Sequence, residues 1–105
     1  MVVTFEKEYL RDLYEKGTTT NKKYRFQPEI VKNYKRRIKT LEAADKIEDL
    51  YNINSLNYEV LRGDKQGISS IRVNNQYRIE FTVSEKESEP VVTVCNVLEL
   101  SNHYK

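Results

Sequence analysis

The sequence predicts an α+β fold in which two N-terminal helices pack on one face of a small, mainly antiparallel sheet, in the order β-α-α-β-β-β. Two patterns carry this expectation. Apolar residues recur at helical spacing through the first half of the chain, and they alternate with polar residues through much of the second. The chain has 105 residues, of which 38% are hydrophobic and 32% charged, enough for one domain over 1–105 with one modest core.

The opening "VVTF" reads as a first strand. Phe5, Tyr9 and Leu13, flanked by Leu10 and Tyr14, follow helical spacing, and Gly17 is placed to stop that helix. "TTTNKKYRFQ" is a polar connection. Pro28 then suits the first turn of a second helix, because its fixed φ is already helical. Ile30, Tyr34, Ile38 and Leu41 give that helix one apolar stripe, with Lys32, Lys35, Arg36 and Lys39 mostly on other faces. "DKIEDLYNI" is a second connection. Beyond it, Ile71 and Val73 alternate with Ser70, Arg72 and Asn74, and Tyr77, Ile79, Phe81 and Val83 alternate with Arg78, Glu80 and Thr82. "SEKESEP" is a charged turn. The last strand, "VVTVCNVLEL", is apolar on both faces and belongs inside the sheet.

Composition excludes several classes. No apolar run approaches a membrane span, and "MVVTFEKEYLRDLYEK" is too acidic and interrupted for a signal peptide. Cys95 is the single cysteine, so an internal disulfide and a cysteine-based zinc site are both out of reach, and a reducing cytoplasm is the expected location. The net charge of +2 is modest but unevenly spread. Between Asn21 and Lys39 stand eight basic residues and one acid, Glu29. Such a segment suits either a nucleic-acid or acidic partner or a solvated helix face.

In "LRGDKQGISSIRVNNQYRIEF", residues 61–81, Val73 and Tyr77 can share the core side only if 73 pairs with 77, and therefore 72 with 78. "NNQ" is then the hairpin loop, where asparagine tolerates a left-handed backbone. Arg72 and Arg78 face away from the core, within reach of one anion. The alternative is a structural pairing of each with Glu80 or Glu59. The chain ends "ELSNHYK", with the single histidine, His103, followed by Tyr104. Imidazole titrates near neutrality, and with arginines on a phosphate it suits metal-free RNA cleavage. There the 2′-hydroxyl attacks the adjacent phosphate and an acid protonates the leaving 5′-oxygen. No GxGxxG, phosphate-binding loop or metal-ligand spacing occurs, so neither a cofactor nor a metal is expected.

The ordered pattern L-x-G-D-x-x-G-x-x-x-I-x-V-x-x-x-x-R-I-x-F and the ending "NHYK" resemble the HigB branch of the RelE/ParE toxin superfamily. So do the first strand, "FEKEYLRDLYEKG" and the basic second helix. The resemblance implies a RelE-like fold and a ribosome-dependent mRNA endonuclease of a type II toxin–antitoxin pair. It implies neutralisation by a helix-turn-helix, HigA-like antitoxin, with operator DNA reached only through that antitoxin. The family's closing histidine corresponds to His103, while its Asp and Tyr fall on Ser101 and Asn102; Tyr104 stands one position later. A histidine of some members falls on Glu59, and basic positions fall on Arg62 and Lys65.

The residues expected to act are therefore Arg72 and Arg78 on the scissile phosphate and His103 as acid or base, complemented by Glu59 or Tyr104. Arg62, Lys65, Lys32, Lys35, Arg36 and Lys39 are expected along the RNA backbone. Two other readings accompany this one: a ParE-like toxin that inhibits DNA gyrase without chemistry, and a catalytically degenerate RNA-binding module.

Overall fold

A computed structural model describes residues 1–102. In chain order it comprises strand β1 (Val2–Phe5), helices α1 (Glu8–Glu15) and α2 (Pro28–Ala43), and strands β2 (Glu59–Val60), β3 (Ser69–Arg72), β4 (Tyr77–Lys86) and β5 (Val92–Asn102). Short 3-10 turns occupy Lys22–Tyr24, Ile47–Leu50, Asn54–Leu56 and Gly63–Lys65. The strands form one sheet ordered β1-β5-β4-β3-β2. All neighbours are antiparallel except β1 and β5, which run parallel.

The α+β class and the two-helix order match the sequence reading, with one strand added. β2 lies after the connection "DKIEDLYNI" and before the alternating strands, and its two residues are too few to display an alternation. The last strand is interior, as its two apolar faces predict: β5 lies between β1 and β4.

Each helix forms for a visible reason. Gly17 at φ 77 ends α1, and its N–H reaches the Leu13 carbonyl at 3.2 Å. Pro28 opens α2. The predicted stripe of Ile30, Tyr34, Ile38 and Leu41 is buried, and it packs with Leu10 and Leu13 of α1 against Ile71, Ile79, Phe81 and Val97 of the sheet. The buried Tyr34 hydroxyl donates to the Leu10 carbonyl at 2.8 Å, which ties the helices together. The connection after α2 is not passive, since Leu50 and Leu56 are fully buried in the same core. Among the described residues, no helix is long and apolar enough to cross a membrane.

The hairpin register is the predicted one: Arg72 pairs with Arg78, and Ile71 with Ile79. Its loop is closed by different means. Among the described residues only Asn57, outside this loop, is a non-glycine at positive φ. The Asn74 side-chain oxygen accepts from the N–H groups of Gln76 at 2.8 Å and Tyr77 at 2.7 Å. A side-chain turn thus does what the sequence assigned to a left-handed backbone.

Candidate functional site

The sheet face away from the core carries two consecutive like-charged cross-strand pairs. Arg72 faces Arg78 across β3 and β4, and Glu80 faces Glu99 across β4 and β5. The second pair sits at a bulge: Phe81 pairs with Val97, so Leu98 is the extra residue. Like charges so placed repel, and each pair needs an answer.

The acids have theirs within the chain. The Lys65 ammonium meets Glu80 at 2.8 Å, and that of Lys7 meets Glu99 at 2.6 Å. The Tyr9 hydroxyl also donates to Glu99 at 2.7 Å. Burial alone would raise the Glu99 carboxyl, but the hydrogen bonds from Lys7 and Tyr9 overrule it and hold its pKa below the ordinary value.

The arginines are answered differently. Arg78 is only 5% exposed. Its Nε donates to Ser70 Oγ at 2.9 Å, and one Nη donates to the carbonyl oxygens of Asn57 at 2.6 Å and Ser70 at 3.3 Å. Asn57 is the residue held at φ 46, so this guanidinium fastens the turn before β2 onto the sheet. Burial lowers the pKa of Arg78; Glu59 offsets part of the effect and Arg72 adds to it. Arg72 is half-buried and donates to the Asn75 side chain in its own loop. Among the described residues neither arginine has a carboxylate within ion-pairing distance.

Glu59 is exposed on β2 opposite Ser70, one strand away from the arginine pair. Arg62 is exposed beside the Gly63–Lys65 turn. Glu59 and Lys65 are thus gathered around the same face as the arginines. Lys32, Lys35, Arg36 and Lys39 are not; they project from α2 along a separate groove. His103 and Tyr104 lie outside the described residues.

One residue near the site escaped the sequence reading. Arg37 of α2 has a buried Nε with no hydrogen-bond partner among the described residues. Burial first, then Arg36 and Arg72, lower its pKa, which puts it within electrostatic reach of Arg72. Its position directly before Ile38, on the flank of the apolar stripe, was the available signal.

Residues 3–93 match the model of the HigB-like toxin family, described as the RelE-like toxin of the type II toxin–antitoxin system HigB. The chain belongs to this family of toxins. A HigB relative, toxin HigB-1 of Vibrio cholerae serotype O1, is 34% identical over 82 residues, which span 77% of this chain and 82% of that protein. The HigB fold also extends to solved structures of lower identity. A YoeB/ParE toxin from Agrobacterium tumefaciens superposes with a TM-score of 0.60 at 17% identity, covering 99% of this chain and 100% of that one. The YoeB–YefM complex from Staphylococcus aureus gives 0.57 at 21% identity, covering 99% and 98%.

Proposed function

We propose that this HigB-family toxin is an mRNA endoribonuclease that acts on the ribosome and is neutralised by a HigA-like, helix-turn-helix antitoxin in the cytoplasm. One observation carries the reading: two arginines stand opposed without a carboxylate, while the acid pair beside them is matched by lysines. An anion supplied from outside completes the arrangement, and the phosphate of RNA is such an anion.

Arg72, the more accessible of the two, contacts the scissile phosphate and stabilises the charge of the phosphorane. Arg78 adds positive potential from below and keeps the turn preceding Glu59 in place. His103 transfers a proton, with Glu59 or Tyr104 as the complementary group, and the residue before it in sequence, Asn102, pairs with Tyr77 next to Arg78. Arg62 and Lys65 contact the RNA backbone. Attack by the 2′-hydroxyl requires proton transfer and charge stabilisation, and the chain's own residues provide both.

The deciding experiment is primer extension on cellular mRNA after brief induction, followed by analysis of the product ends. We expect discrete cuts within translated regions that leave cyclic-phosphate or 3′-phosphate ends. Cuts with 3′-hydroxyl ends would overturn the mechanism. Arrested growth with intact transcripts would instead support a gyrase-inhibiting toxin.

A further inference from the structure

A hollow of about 240 Å³ lies where the chain turns into β2, lined by Tyr51, Ile53, Asn54, Asn57 and Tyr58. None of the five is charged, so its chemistry is that of flat rings and neutral amides. Its walls are held from behind. Leu50 and Leu56 are fully buried in the core on either side of the exposed residues. The Tyr58 ring contacts Phe81, and its hydroxyl is 2.9 Å from Ser69 Oγ. Tyr51 leans on Tyr58 with ring centroids 5.1 Å apart, yet 54% of its surface stays exposed. It is an apolar ring on a fixed mount, open to solvent. The Asn54 and Asn57 carboxamides are exposed, and among the described residues neither has a hydrogen-bond partner.

Two links join this hollow to the arginine face. Arg78 Nη donates to the Asn57 carbonyl at 2.6 Å, and Glu59 directly follows Tyr58. The two places divide their chemistry. The arginines suit a phosphate, whereas the hollow has no cation for one. A free carboxamide presents two donors and an acceptor, the complement of a nucleobase edge, and a tyrosine ring stacks on any base. We infer that the hollow is a nucleobase subsite: a base flanking the phosphate on Arg72 stacks on Tyr51, and Asn54 and Asn57 read its edge. The inference rests on the RNA reading of the arginine face and adds to it a source of sequence preference.

Two substitutions remove the subsite and spare the fold. Tyr51→Ala deletes an exposed ring. Asn57→Gly deletes a carboxamide but keeps the carbonyl that Arg78 binds, and glycine accepts the φ of 46 there. The probes are 2′-O-methyl tetranucleotides of A, C, G or U, which lack the attacking hydroxyl, and an abasic oligomer with the same phosphates. Amide shifts of the whole chain locate binding, and fluorescence anisotropy measures it. We expect at least one base-bearing probe to shift the amides of Tyr51, Asn54 and Asn57 and to bind more tightly than the abasic one. Tyr51→Ala should weaken that probe at least roughly fivefold and leave the abasic oligomer unaffected, while Tyr51→Phe keeps the affinity. Asn57→Gly should narrow the spread of affinities among the four bases. Base-dependent binding at these amides by a protein that cuts no transcript would sustain the subsite and fail only the nuclease reading. Transcripts cut by both variants at the same sequences and rates as by wild type would overturn the subsite and leave the nuclease standing. Equal affinity for abasic and base-bearing probes would overturn it too. So would a Tyr51→Ala protein that loses only self-association, which would make the patch a contact between copies.

Discussion

Arg72 and Arg78 share a register position but differ in their surroundings, and their variants should differ accordingly. Arg72→Ala removes a repulsive cross-strand partner and one loop contact, so stability should stay level or rise by up to about 0.5 kcal/mol. Toxicity should nevertheless be lost, and Lys should restore little of it, because an ammonium cannot reproduce the two-pronged contact of guanidinium with phosphate. Arg78→Ala leaves the Asn57 carbonyl and Ser70 hydroxyl without their donor in a buried place and should cost about 2–3 kcal/mol. Thermal melts and growth assays on both variants check this. A still-toxic, destabilised Arg72→Ala protein would contradict the phosphate role. The pairing of 72 with 78 was readable from the sequence, because alternation fixes which residues share a face. Burial of Arg78 was not. It depends on Asn57, twenty-one positions earlier, folding over the strand, and no periodicity reports such a contact.

At the scale of elements, legibility followed the strength of repetition. α2 and the β3–β4 hairpin have several turns or alternations to display and lie where the pattern put them, except that β4 runs on through residues 84–86 of the expected charged turn. β2 and the short turns from Ile47 to Leu56 have none, although Leu50 and Leu56 complete the core from there. The helix pair itself rests on apolar packing and on the buried hydrogen bond from Tyr34 to Leu10. Tyr34→Phe keeps the ring and abandons the Leu10 carbonyl, so it should destabilise by about 1 kcal/mol with the native contacts otherwise retained. Chemical denaturation should show a lower midpoint at an unchanged slope; a changed slope would mean that the hydroxyl affects more than this contact. At the other side of α1, Glu99 joins β5 to Lys7 and Tyr9. Its pKa is depressed by folding, so its stabilising effect is present above the ordinary value of 4.5 and fades as pH falls through the lower folded value. Glu99→Gln should therefore be less stable than wild type at neutral pH, by about 1 kcal/mol after allowance for exposure, and the gap should narrow in acid.

Across the whole molecule, ionisation couples to folding more strongly on the alkaline side. Burial raises the pKa of Tyr9, with the hydrogen bond to Glu99 adding to it, and burial likewise raises that of Tyr34. The Cys95 thiol is pushed up to about 11 by burial, and the Tyr14 hydroxyl to about 12, chiefly by its bond to Glu42. For all four the folded state holds its proton at pH values where the unfolded chain has released it. The stability they contribute is thus complete below their unfolded values, 9.0 for the thiol and 10.0 for the tyrosines, and is lost as pH rises toward the folded ones. Tyr34 alone, kept protonated in the core, contributes a slope of about 1.4 kcal/mol per pH unit above its unfolded pKa. The lysine at position 7, raised by its bond to Glu99, adds a further loss at still higher pH. Stability should therefore begin to fall near pH 9, and fall more steeply past pH 10. Following tyrosinate absorbance and far-ultraviolet circular dichroism together tests this. Tyr9 and Tyr34 should ionise only as the secondary structure is lost. Tyr34→Phe should flatten the alkaline slope even though it lowers stability at neutral pH. Ionisation of every tyrosine with the dichroism unchanged would show that Tyr9 and Tyr34 are reached by solvent without unfolding, and would break the link between the core and the alkaline limit.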